Sequence, residues 1–164
     1  MLLVAACAAA TESGWERRQA ERKWREVEAA LPAYPRKEDL LPFFVSAASS
    51  FEFYIDGASL AVAEDGVVRY VLVARSSQGA ESVSFEGMRC STSEVRIYAT
   101  GTGDGGWTRS ASPWRPIAAR TVQRWHNALR DEYFCPLGTP IYSPAEGVAA
   151  LRQGGHPRRA PSGD

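Results

Sequence analysis

From Phe51 to Arg109 the chain passes through one short alternating segment after another, each closed by a turn, and this rhythm constrains the fold more than any other feature. FEFYI (51–55) and SLAVA (59–63) are separated by a connection that holds Asp56 and Gly57. Asp65-Gly66 precedes VVRYVLVAR, SSQGA separates that from ESVSFEGM, CSTS leads into EVRIYAT, and GTGDGG stands before WTRSA. Apolar and polar residues in alternation, bounded by Gly, Asp and Ser, mark strands and tight turns. Connections this short join only antiparallel neighbours, because a parallel pair needs a crossover of about a dozen residues or more. The expected fold is α+β, with an antiparallel meander sheet of about five or six strands.

A sheet with one apolar face needs a cover. The segment from about Ile117 to Tyr133 predicts one, a C-terminal helix, because Val122, Trp125, Leu129 and Tyr133 recur at helical spacing while Arg120, Arg124 and Arg130 fall elsewhere. Alternation puts Phe51, Phe53, Ile55, Leu60, Val62, Val83, Phe85, Val95 and Ile97 on the helix-covered side. The central strand is apolar on both faces, so pattern alone leaves its register open; we place Val68, Tyr70 and Leu72 inward. The other side then carries Glu52, Tyr54, Arg69, Ser84, Glu86, Arg96 and Tyr98, with Glu86 opposite Arg96 and Arg69 beside it.

Ahead of the sheet, Ser13 to Leu31 reads as a charged helix, with Ser13 and Glu16 spaced as a capping box and Glu21 four residues before Arg25. Its apolar positions, Ala20, Trp24, Val27 and Leu31, form only a narrow stripe, and five acidic and five basic residues lie between Thr11 and Ala30. It is expected to face water as a spacer that touches the domain through Trp24 and Val27, and to end at Pro32 and Pro35. The closing RQGGHPRRAPSGD has the composition of a disordered tail. The organisation expected is a leader at 1–10, a helical spacer at 11–33, a single α+β domain at 34–146 and a flexible tail at 147–164.

The Arg69, Glu86, Arg96 ladder, flanked by Tyr54 and Tyr98, is the sharpest polar constellation. As a binding face it suits an anionic or sugar-like ligand or a protein partner; as plain sheet surface it needs only cross-strand ion pairing. Other chemistry finds less support. Cys135 with His126 has no accompanying oxyanion motif, and Cys90, His126 and Cys135 lack the paired spacing of zinc sites. GTGDGG has neither the lysine nor the following helix of a phosphate loop. Asp56 and Asp65, each before Gly, are turn residues. No catalytic residue, metal or cofactor is expected; His126 is placed at the border of the helix's apolar face and His156 in the tail. With 19 basic and 19 acidic residues, no charge excess draws the chain to nucleic acid. No apolar run reaches the roughly 18 residues of a transmembrane helix.

Cys90 ends one strand and Cys135 follows the covering helix, so a bond between them would staple helix to sheet. In a reducing cytosol such a bond would be unexpected. Val4-Ala5-Ala6-Cys7 looks like a bacterial lipoprotein signal, in which Cys7 is acylated and becomes the mature N-terminus. The positively charged region and most of the apolar region of such a signal are missing, so the written start is expected to lie inside the true one. On this reading 1–10 is a truncated signal, and the protein is periplasmic, held to the outer membrane by lipid on Cys7 and by no transmembrane helix. A cytosolic protein with an apolar N-terminus is the alternative.

FYIDGASLAVAEDGVVRYVLVARSSQGAESVSFEGMRCSTSEVRIYATG, followed by WRPI and HNALRDEYFCP, resembles the cryptic neisserial protein-like family of proteobacterial envelope proteins over residues 34 to 143. The resemblance rests on DGVVRY, SFEGMRC, YATG and YFCP in that order. It implies a single small domain behind a signal or lipobox, with its two cysteines at Cys90 and Cys135, and it brings no catalytic residues. The expected function is a non-catalytic envelope module that binds an envelope protein or polymer through its sheet face or loops. A small periplasmic hydrolase or ligand-binding enzyme using Arg69, Glu86, Arg96 and Tyr98 is the alternative.

Overall fold

Valine, isoleucine and aromatic residues fill the segments between Leu40 and Arg109, and these segments pair in sequence order. In the computed structural model, which describes residues 14–118 and 124–159, six strands lie side by side, every pair antiparallel. They are β1 (Leu40–Phe43), β2 (Phe51–Asp56), β4 (Val67–Ser76), β5 (Glu81–Arg89), β6 (Glu94–Gly101) and β7 (Trp107–Arg109). Two short strands, β3 (Ala61–Val62) and β8 (Arg115–Pro116), pair with β4 and β6. The fold is mixed α+β around an antiparallel sheet of eight strands.

The residues 59–63 do not form a neighbour to 51–55. β4 is ten residues long, and β2 pairs with its Leu72–Ser76 half while β3 pairs with Val68 and Arg69 on the same edge. Asp56-Gly57 is thus a bend along one edge, in which Asp56 Oδ1 accepts the Ala58 N–H and the Gly57 N–H donates to Asp39 O. GTGDGG makes the expected hairpin turn: the Thr102 N–H donates to Gly106 O, and Gly105 takes a φ of +88° that glycine alone adopts without strain.

One face of the sheet is covered by the C-terminal segment. α2 (Arg124–Ala128) continues into a π-helical turn, Leu129–Phe134, and α3 (Pro144–Arg152) follows. The core between them joins Phe43, Phe53, Ile55, Leu60, Val68, Tyr70, Leu72, Met88 and Val95 to Leu129, Tyr133, Phe134, Ile141, Ala150 and Leu151. Cys90 and Cys135 are bonded, with 5.4 Å between their Cα atoms, and fasten the end of β5 to the end of the π-helical turn. Arg120 and Val122 of the predicted helix lie outside the described residues, as do Cys7, Ser13 and the final residues 160–164.

The tail predicted to be flexible from residue 147 is instead part of the fold as far as it is described. Ser143 caps α3 by accepting the Glu146 N–H, and Pro144 opens it. Ala150 and Leu151 are then buried in the core. His156 is buried rather than exposed: its N–H donates to Glu132 O, and its ring meets Glu146 at 2.8 Å. The short apolar run VAAL (148–151), between Ser-Pro and Gly-Gly, carried this helix, and its small residues gave it a weak periodic signature.

The second face is covered as well, which the sequence pattern did not predict. α1 spans only Gly14–Lys23, and the chain from Trp24 to Arg36 runs without regular secondary structure as a strap over the far side of the sheet. A helix through Val27 would need its backbone groups internally. Here the Val27 N–H goes to Asp65 Oδ2 (2.8 Å) and its carbonyl accepts from Arg69 (2.7 Å). Ala29, Leu31 and Tyr34 of the strap pack with Trp107 and Trp114 against Val71, Val73, Val83, Phe85, Tyr98 and Ala99. Val83 and Phe85 therefore face the strap, opposite to their predicted side, because β5 pairs Val83 with Val73 and Phe85 with Val71. Glu86 then points into the helix-side core.

Candidate functional site

Register brings three residues of neighbouring strands into line on the strap side: Arg69 of β4 pairs with Gly87 of β5, and Gly87 with Arg96 of β6. Between Phe85 and Glu86 the β5–β6 register shifts, so that Phe85 pairs with Ala99 and Glu86 with Ile97; Tyr98 is the extra, bulged residue. The bulge turns its ring over Gly87. A Cβ at residue 87 would come within 2.6 Å of Tyr98 Oη and 2.9 Å of Val67 Cγ1, so the floor of the cluster admits no side chain. The guanidinium carbons of Arg69 and Arg96 lie 5.7 and 5.5 Å from the centre of the same ring. Trp114 meets Tyr98 edge-on at 6.4 Å and Trp24 at 6.0 Å, and Arg89 lies over Trp24 at 3.7 Å.

Into this cluster the strap inserts Glu26. Its carboxylate accepts from Arg96 Nη1 (2.6 Å), Tyr98 Oη (2.6 Å) and Trp114 Nε1 (3.2 Å). Beside it, the Asp65 carboxylate accepts from Arg69 Nη1 and Nη2 (3.2 and 2.7 Å) and from the backbone N–H groups of Val27 and Val67. Burial, with the hydrogen bond to Glu26, pushes the Tyr98 hydroxyl well above its ordinary range, so it remains a donor at neutral pH. Burial alone would raise Asp65, but Arg69 and the two backbone N–H groups outweigh it and hold the carboxyl below its ordinary value. The Nε atoms of Arg69 and Arg96 are buried and make no hydrogen bond.

Of the residues predicted to share a binding face, Arg69, Arg96 and Tyr98 come together, and Glu86 and Tyr54 do not. Glu86 lies on the opposite face, where its carboxylate accepts from Ser84 Oγ (2.7 Å), Tyr70 Oη (3.0 Å) and His126 Nε2 (2.7 Å). Its neighbour across the sheet is Ile97, so the predicted Arg, Glu, Arg ladder is not formed. His126 is 3% exposed, inside the core rather than at its border. Tyr54 stands towards the other end of the sheet, donating to Glu52 (2.9 Å) under the Arg75 guanidinium. Nor is the strap side an open surface: Arg69 is buried and the strap lies across the cluster.

Cys135 is held in the disulfide and His126 by Glu86, so the nucleophile pair weighed from the sequence does not exist. Among the described residues no group of His, Cys, Asp and Glu is arranged to hold a metal ion. An open hollow of about 610 Å³ lies away from the cluster beside Phe44, Asn127 and Tyr133, and the ion pairs Arg130–Asp131 and Arg159–Glu132 stand in its wall. Glu26, Asp65 and Trp114 are the site residues that sequence reasoning missed. For Glu26 alone a signal existed, since a helix polar nearly all round has little to hold it on a protein; nothing in the sequence pattern set Asp65 or Trp114 apart as site residues.

The model of the CNP1-like family matches residues 19–152, a span that holds the strap, both bonded cysteines and α3. No curated protein and no solved structure matches the chain.

Proposed function

The chain belongs to the CNP1-like family, and from that premise we propose that it is a non-catalytic cell-envelope protein, lipid-anchored through Cys7, which recognises an acidic group on an envelope protein or polymer. We take the family to be that of the cryptic neisserial protein-like envelope proteins. The observation that carries the binding reading is the three-donor grip of Arg96, Tyr98 and Trp114 on a carboxylate. Convergent arginine, tyrosine and tryptophan donors on one anion are the chemistry by which acidic groups are recognised.

The envelope reading draws support from the Cys90–Cys135 bond, a chemistry of oxidising compartments, and from the lipobox. No helix among the described residues is long and apolar enough to cross a membrane, so the membrane attachment proposed is the lipid alone. A hydrolase built on Arg69, Glu86, Arg96 and Tyr98 loses its carboxylate, which lies behind the sheet. Palmitate labelling of the protein expressed from its native locus tests the proposal. Label that is lost with globomycin, in the outer-membrane fraction, is expected; unlabelled protein in the cytosolic fraction overturns it.

A further inference from the structure

We infer that Glu26 is a built-in competitor for its own binding cluster, and that the ligand it holds off is a phosphoryl group; this rests on the anion-binding reading above. The donors belong to the body of the domain: Arg96 and Tyr98 to β6, Trp114 to the segment before β8. The carboxylate belongs to the strap. The cradle is therefore built by residues that the sheet positions without Glu26, with Gly87 as floor and aromatic rings as walls.

The guanidinium groups flanking the Tyr98 ring carry N–H groups that Glu26 does not use. A guanidinium presents five N–H groups. The Nε of Arg96 and that of Arg69, whose side chain is 7% exposed, are buried with no hydrogen-bond partner. A tetrahedral phosphoryl group carries more acceptor oxygens than a carboxylate, and arginine engages it in the same forked geometry. The occupant also has a way out. The Glu26 side chain is 19% exposed, at the rim, so rotation about its own bonds frees Arg96, Tyr98 and Trp114. Leu31 and Tyr34 meanwhile keep the strap packed on the sheet. Asp65 stays on Arg69 and holds the second guanidinium in place. A tethered carboxylate competes at high effective concentration, so the parent chain binds phosphate in proportion to the fraction of time the cradle stands open.

Titration of the full chain with inorganic phosphate, followed by calorimetry, tests this. Glu26→Gln is expected to bind phosphate about tenfold tighter than the parent, which corresponds to a cradle open about one-tenth of the time. Adding Arg96→Gln returns binding to the parent level or below. Glu28→Gln, the same charge change on an exposed strap residue, leaves it at the parent level. An affinity of Glu26→Gln no greater than that of Glu28→Gln overturns the competitor. If parent and Glu26→Gln bind equally and Arg96→Gln abolishes both, the competitor falls and the anion-binding reading stands; if none binds, both fall. Phosphatidylcholine vesicles with or without phosphatidic acid separate a lipid headgroup from a soluble source: Glu26→Gln sediments with the acidic vesicles only if the source is lipid. Should Glu26→Gln fail to fold, the Trp114 indole N–H resonance of the parent carries the test. It must shift and saturate as phosphate is added, and a fixed resonance overturns the inference.

Discussion

Gly87 sets the geometry of the anion cluster from beneath, since Tyr98 can lie between the two arginines only where the strand beneath has no side chain. Gly87→Ala is expected to lift the Tyr98 ring and to cost about 1–3 kcal/mol, as overpacking does; urea unfolding at an unchanged midpoint would contradict this. Glu86 acts on the other face, joining β5 to β4 through Tyr70 and to α2 through His126. Removing a buried acceptor leaves its donors unsatisfied, at about 1–3 kcal/mol, so Glu86→Ala, which strips Tyr70, Ser84 and His126 of their acceptor, is expected to destabilise by at least that much in the same measurement. The acid limb follows from three carboxyls. Burial raises Asp65, Glu86 and Glu146, but their partners, Arg69, His126, and the Tyr142 N–H with His156 and Arg158, hold each below its ordinary value. A group whose pKa is lowered by folding takes up its proton first in the unfolded chain. Its stabilisation is whole at neutral pH and declines as pH falls below about 4–5, where unfolded Asp and Glu titrate. An unfolding midpoint flat from neutral pH down to about pH 3 would contradict the assignment.

At the scale of elements, β2, β4, β5, β6 and β7, the hairpin turns between the last four and the cysteine pairing were legible because their signals are local or geometric: alternation with period two, Gly-rich turns, and two cysteines flanking a helix and a strand; β1 and β8, short and each containing a proline, were not. The strap was not legible. It holds its place by bonds to residues far along the chain, Val27 to Asp65, Glu26 to Arg96 and the Pro32 carbonyl to Trp107, and such bonds leave no period in the sequence. The orientation of β5 was missed for a related reason, because Glu86 is buried with partners while alternation counts every charge as outward. α3 was cut off by placing the end of the domain too early. A chain ending at residue 146 loses Ala150 and Leu151 from the core, together with the Glu132 and Glu146 contacts of His156. That truncation is expected to be recovered as aggregate or to melt far below the parent.

For the whole molecule, a single sheet lies between two covers, and the covers differ in kind. The helix side is tied covalently: bonding Cys90 to Cys135 closes a loop that the chain-entropy model values at about 4 kcal/mol. The strap side is tied by hydrogen bonds and aromatic packing, with Glu26 at its rim. Reduction is therefore expected to lower the denaturant midpoint of the parent chain markedly and that of a Cys90→Ala, Cys135→Ala chain not at all. The proposed anchor and the proposed envelope ligand both require export, and an oxidising compartment is where a bond such as Cys90–Cys135 forms and persists. Mass spectrometry of the protein from its native cells, alkylated under denaturing conditions without reduction, tests export most directly. Export predicts Cys90 and Cys135 in one disulfide-linked peptide pair and lipid on Cys7. Alkyl label on all three cysteines would contradict it.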